Sequence, residues 1–312
     1  MTSLFEKARA YMYQNARPLD LVRFQYHFEN GSQEAVLHAL SFYQNEDGGF
    51  GHAIEADNWN PNSIPLHANG ANSILHEIGM TDASHPMIQK LIAWYTSGAC
   101  FNGKSWDITV PSNNDYPHAP WWHTGSVSTC HTDYNGTAQI AGFLIRYAPH
   151  GSEAFRLGVR IAREAIAALD PALLADSHTC ACYVRMAELI EEAGSESLFP
   201  FDALKTNLHQ SVHQLIVTDK SRWSAYVCKP SQFFRSRSSE YYPENAEIAE
   251  YECEFIAQTQ LPDGSWNIPW RWEQFPEEWA VAKNWWKGQI ILENLLYLKG
   301  FGKMQKESRG SL

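Results

Sequence analysis

The chain has 312 residues, enough for one large domain or two small ones, and its 44% hydrophobic content supports a sizeable core and argues against disorder. Its 24 Lys and Arg against 35 Asp and Glu give a formal charge of −11, and with no long basic run this excludes a general phosphate-neutralising surface for nucleic acid. No stretch of about 18 uncharged apolar residues occurs, so no transmembrane segment is expected. The opening Met1-Thr2-Ser3-Leu4-Phe5-Glu6-Lys7 lacks the basic-then-apolar pattern of a secretory leader, which points to the cytoplasm. The six scattered cysteines (Cys100, Cys130, Cys180, Cys182, Cys228, Cys253) then read as reduced thiols.

Helical periodicity dominates, and period-2 alternation is nearly absent. In chain order the pattern predicts helices over 2–14, 18–30, 32–44, 65–79, 84–97, 135–148, 151–169, 173–193, 200–217, 244–260 and 279–299. Asn30-Gly31-Ser32 supplies a C-cap and an N-cap between the second and third. Residues 219–243, rich in Ser and Arg, form an irregular stretch with a possible short helix over 230–239.

Four loops carry a turn followed by an aromatic residue at the same place in a helix–turn–helix–loop unit of about 50 residues. They are Gln44-Asn45-Glu46-Asp47-Gly48-Gly49-Phe50, Asn102-Gly103-Lys104-Ser105-Trp106, the glycine-free Asp219-Lys220-Ser221-Arg222-Trp223, and Gln260-Leu261-Pro262-Asp263-Gly264-Ser265-Trp266. The first and last align without a gap. Glycine suits a tight turn, the Gln amide can cap a neighbouring helix, and the ring wedges between helices, so these residues read as scaffold. The four helices that precede the aromatic turns, joined by 2–14 and 151–169, form one class of six; the other five form a second class, with 230–239 as its sixth.

The glycine-aromatic turns resemble the QW repeat of triterpene cyclases and the related repeat of protein prenyltransferase β-subunits. This resemblance covers nearly the whole chain through the helix alternation. It implies an all-α (α/α)6 toroid over residues 1–302, with 303–312 as a tail, and a central cavity for an isoprenoid. Class II terpene cyclases carry Asp-x-Asp-Asp-Thr-Ala at the start of an inner helix. Here Asp133-Tyr134-Asn135-Gly136-Thr137-Ala138 matches in length and ending, but Asn135 replaces the proton-donating acid, and an amide cannot protonate an alkene. The alternative is that Asp133 or Asn135 caps the helix. No Asp-Asp-x-x-Asp occurs, so Mg²⁺ has no motif behind it. Neither does an Asp-x-Cys match the prenyltransferase zinc site, and Cys180 and Cys182 would point to different helix faces. His209 and His213, spaced i, i+4 on a predicted outer helix, read as solvated. No metal or other cofactor is expected.

Three polar segments are candidates for a site. Gly51 to Asn62 contains His52, Glu55, Asp57 and Trp59; Glu55 and Asp57 could form a carboxylate pair that supplies a general acid, or belong to a solvated Asn/Asp/Pro-rich turn. Tyr116 to Asp133 gathers His118, Trp121, Trp122, His123 and His131 ahead of Tyr134 and Asn135, as pocket lining or as an ordered loop packed on its Trp pair. Tyr241 and the Trp270-Arg271-Trp272 run could hold an anion or staple the surface. The favoured function is an isoprenoid-handling protein, a cyclase or prenyltransferase relative, with Asp57 or Glu55 as acid and Asp133 in reserve. A carbohydrate-active toroid and a noncatalytic binder are the alternatives. The expected partner is a small molecule, an isoprenoid before a glycan.

Overall fold

The computed structural model of the protein describes residues 3–125, 134–170 and 173–304. Among the described residues the regular elements are helical: α1 (Leu4–Asn15), α2 (Pro18–Phe28), α3 (Gln33–Ser41), α4 (Pro65–Glu77), α5 (Pro86–Thr96), α6 (Thr137–Tyr147), α7 (Glu153–Ala167), α8 (Ser177–Glu192), α9 (Phe201–Leu215), α10 (Tyr242–Thr259) and α11 (Pro276–Gly300). Caps fix several starts. The Ser3, Ser152 and Asp176 side chains accept from the amides of Glu6, Phe155 and Thr179. Proline opens α2, α4, α5 and α11, where its missing N–H costs nothing. Residues 219–243 hold only two three-residue 3₁₀ turns, Lys220–Arg222 and Pro230–Gln232, so the short helix expected over 230–239 is a single turn. Its Ser/Arg-rich sequence offers no apolar stripe to support more.

The chain divides into two compact units. One comprises Met1–Ser32, Ile216–Arg271 and Lys283–Leu312; the other comprises Gln33–Leu215 and Trp272–Ala282. In the larger unit α6 is buried on nearly every face. Gly142 lets its backbone close on α8, where an added Cβ would lie 3.0 Å from Met186 Cα, and Gly158 of α7 does the same against Ala141. The polar residues of α4 and α6 fasten helices together. Asn72 donates to the Tyr95 hydroxyl at 2.8 Å, and Gln139 donates to the Asn69 carbonyl and the Ser73 hydroxyl. In the smaller unit a buried Arg17–Asp20–Arg23 cluster opens α2, with contacts of 2.7 and 3.0 Å. Phe5, Phe24 and Phe28 join α1 to α2.

The aromatic turns repeat atom for atom. Gln44 Nε2 donates to the Gly48 carbonyl and to Met87 in the first turn of α5, both at 3.0 Å. Gln260 Nε2 donates to the Gly264 carbonyl at 3.0 Å and to Leu4 in the first turn of α1 at 2.9 Å. Gly48 and Gly264 have φ of 93° and 89°. A Cβ on either would collide with a carbonyl three residues further along the stapled helix, that of Lys90 or Lys7. Phe50, Trp106, Trp223 and Trp266 are all buried behind their turns. The Asn102 turn is one residue shorter and lacks the glutamine. There Arg160 of α7 reaches back to the Gly103 carbonyl at 3.3 Å.

His76 of α4 bridges to α8. Arg185 donates to its Nδ1 at 2.6 Å and its Nε2 faces Glu192 at 2.8 Å, an arrangement that requires a neutral ring. Burial, then the Arg185 charge, lower its pKa below the usual 6.5.

Two predictions follow from this packing. Gly264→Ala should cost roughly 3 kcal/mol or more, from positive φ plus collision, while Gly103→Ala, which meets open space at φ 97°, should cost about 1–2 kcal/mol. Equal urea midpoints for the two variants would overturn the packing account. For His76, the folded state binds fewer protons than the unfolded one below pH 6.5. Its contribution is therefore present above 6.5 and lost as pH falls through the lowered pKa, and His76→Phe should flatten that limb of the stability profile.

Candidate functional site

The most polar of the buried clusters in the larger unit is built where two loops run side by side. Residues 57–59 pair antiparallel with 117–119: Asn58 bridges to His118, the Trp59 amide donates to the Pro117 carbonyl at 2.9 Å, and the Ala119 amide donates to the Asp57 carbonyl at 2.8 Å. An amide ladder holds the first loop. Asn60 accepts from the Asn62 amide and donates to Ser112 and Asn113, and Asn113 donates to the Trp122 carbonyl. Asn58 is fully buried, and among the described residues its Nδ2 has no hydrogen-bond partner.

Asp57 is 2% exposed, and its Oδ1 accepts the indole N–H of Trp272 at 2.6 Å. Trp272 is buried, with the rings of Phe275 and Trp279 at 6.4 and 5.6 Å. Phe275 in turn packs on His118 at 5.7 Å. The His118 ring stacks on His123, with centroids 5.2 Å apart and planes 14° apart, and the two share an N–N contact of 3.0 Å. An aromatic path thus runs from the carboxyl through Trp272 and Phe275 to the imidazole pair.

The other expected site residues fall in several places. Glu55 is half-buried, and its amide donates to Nδ1 of the buried His67 at 3.3 Å. Trp59, half-buried, turns its N–H to the Ala56 carbonyl, and Trp121 and Trp122 form a 3₁₀ turn beside the ladder. His52 is exposed, with φ 59° and Nε2 2.9 Å from Asn45, so it belongs to the glycine turn. Tyr134 is buried under Lys104 and edge-on to Tyr183. His131 and Asp133 lie outside the described residues. Tyr241 and Trp270 belong to the smaller unit, where Trp270 meets Tyr226 and Trp286 edge-on. The Trp270–Arg271–Trp272 run is divided between the units.

Asn135 does not cap α6. Its Oδ1 accepts from the Cys182 thiol at 3.6 Å, and the N-cap is Gly136, whose φ is 76°. At 136 the φ of 76° favours glycine, and a Cβ there would make the tips of Ile108 and Asn69 shift. Thr137 instead accepts from the Trp106 amide at 3.0 Å, tying α6 to the second aromatic turn. Burial pushes the Cys182 thiol up to about 11. Among the described residues no group of three or more His, Cys, Asp or Glu side chains is placed to hold a metal ion, and no helix is long and apolar enough to cross a membrane.

Two buried carboxyls escaped the sequence reading, Asp20 between its two arginines and Glu252. Glu252 of α10 accepts the Ser231 amide at 2.9 Å and its hydroxyl at 2.5 Å, and burial raises its pKa. Glu252 sits inside a helical apolar pattern with nothing in its neighbours to mark it. Trp272 was legible as a platform but not as the donor to Asp57. Comparison with protein-family models, with curated proteins and with solved structures finds no match to this chain.

Removing the indole N–H by Trp272→Phe should cost roughly 1.5–3 kcal/mol, as expected for a hydrogen bond to a buried carboxylate. Combined with Asp57→Ala, which removes the acceptor, the two losses should not add, because they break one contact. Additive losses in urea unfolding would overturn the assignment of that bond.

Proposed function

We propose that the chain is an (α/α)6 toroid of the terpenoid-cyclase and prenyltransferase kind, and that it handles an isoprenoid at the Asp57 cluster. The ring is supported by the staples. Gln44 ties its turn to the next outer helix, and by the same two bonds Gln260 ties the last turn to α1, the first helix of the chain. The observation that carries the function is the Asp57–Trp272 contact within aromatic rings. The indole N–H stabilises the anion left when Asp57 gives up a proton, and the ring faces of Trp272 and Phe275 suit a carbocation. Asp57 takes the role that Asn135 cannot perform.

A second reading, a glycan site, is favoured by the amide ladder and by the buried, unpartnered Asn58 Nδ2, which would suit a hydroxyl or carbonyl acceptor.

A thermal-shift panel separates the two: prenyl diphosphates with and without Mg²⁺, farnesol and squalene on one plate, neutral and acidic oligosaccharides on the other. Stabilisation by isoprenoids alone is expected, and product formation from the stabilising compound should fall at least about 100-fold in Asp57→Asn at unchanged melting temperature. Stabilisation by sugars alone would replace the isoprenoid reading with the glycan one. Binding without turnover would leave a noncatalytic binder.

A further inference from the structure

In the smaller unit the loop 217–231 closes on α10. The Val217 amide donates to the Cys228 carbonyl at 3.0 Å, and the Trp223 indole N–H donates to the Val217 carbonyl at 2.8 Å. Ser231 fastens the far end to Glu252 through its amide and its hydroxyl. Trp223 is buried edge-on against Tyr251 and Phe255 of α10, with ring centroids 5.1 and 5.5 Å away. Two lysines of this loop end on those rings, and their surroundings differ. Lys220 is exposed, lies 4.2 Å over Tyr251 and has Glu247 at 3.9 Å. Lys229 is half-buried, and its Nζ lies 5.3 Å from the Phe255 ring and 5.8 Å from the Trp223 ring. Among the described residues that Nζ has neither a hydrogen bond nor an ion pair. Both oxygens of the neighbouring Glu252 are taken by Ser231.

An ammonium in that place has lost water without gaining an oxygen partner. Rings at the outer reach of cation–π attraction return only part of the loss. Burial accordingly lowers the Lys229 pKa below 10.5, against the opposing charges of Glu252 and Cys228. A lysine that gives up its proton readily and rests on ring faces has the properties of a nucleophile.

We propose that Lys229 is a covalent site for an aldehyde with an aromatic or conjugated body. The ring faces around Nζ select the body, and the amine takes the carbonyl carbon. The Nζ lone pair forms the N–C bond as the C=O π pair moves to oxygen, which picks up a proton released by the nitrogen. That hydroxyl then leaves with the second N–H proton as water, and the nitrogen pair becomes the C=N bond. One amine and one aldehyde give one imine and one water, with no oxidant or reductant. The site lies outside the Asp57 cluster and stands whether or not that cluster handles an isoprenoid.

The full-length protein, treated with benzaldehyde and cyanoborohydride at about pH 8, is digested and its modified lysines are quantified by mass spectrometry. Lys229 should react at least about threefold faster than Lys220, because more of it is free amine. Its rate should saturate in benzaldehyde, whereas acetaldehyde, which has no ring, should show neither saturation nor preference. Phe255→Ala should bring Lys229 down toward Lys220. Equal rates at the two lysines, the same preference with acetaldehyde, or an unchanged rate in a folded Phe255→Ala would overturn the proposal. Trace labelling with acetic anhydride between about pH 7 and 11 reads the amine with no aldehyde present. A Lys229 midpoint below 10.5 is expected, set by burial against Glu252 of α10 and the adjacent Cys228. A midpoint at or above 10.5 would also overturn the proposal, and this reading stands even where Phe255→Ala does not fold.

Discussion

A glutamine amide spanning two carbonyls organises the helices of both units. In each full copy of the turn one N–H closes the loop on the glycine carbonyl, and the other reaches the first turn of a different helix. The glycine is then forced, because it rests on a carbonyl of that same helix at positive φ. The buried ring behind it fills the space that the turn opens. Gln, Gly and the aromatic residue are thus parts of one joint, which explains why they recur together. Where the glutamine is missing, at Phe101, the neighbouring helix supplies the donor through Arg160. The joint between helices is preserved while its polarity reverses.

The helical frame was legible because its signals are local. Proline at first turns, Ser3, Ser152 and Asp176 as caps, and apolar spacing all act within a few residues, and observed ends differ from expected ones by only a few positions. The site was legible in composition but not in pairing. Asp57 stands out in a polar segment, whereas its donor is 215 residues away, where Trp272 looks like any loop tryptophan. The histidines of Tyr116 to His123 were visible as a group, but their placement rests on a carbonyl acceptor, that of Tyr116, which no spacing rule indicates. The match at 133–138 misled in the other direction. Gly136 fills a position where the resemblance asks for an acid, yet its φ of 76° is one that a side-chain-bearing residue adopts only at a cost.

Two buried carboxyls differ in what surrounds them, and the difference argues for their roles. Both oxygens of Glu252 take a donor from Ser231, with Lys229 and Tyr297 nearby, so the group fastens a 3₁₀ turn to α10. Nothing in that arrangement brings a reacting group to it. Asp57 sits at the end of a run of rings instead, with an indole N–H on one oxygen and an imidazole pair beyond Phe275. On the proposed reading this carboxyl would give its proton toward π faces that tolerate positive charge, and the anion it leaves would already be hydrogen-bonded. The amide ladder of Asn58, Asn60 and Asn113 then acts as a rigid floor, since a loop carrying so many local hydrogen bonds has few other conformations. The backbone pairing of 57–59 with 117–119 holds Asp57 and His118 on two braced loops, and Trp272 and Phe275 meet them from the segment that leads into α11, so the whole cluster is fixed by hydrogen bonds and packing outside the helices.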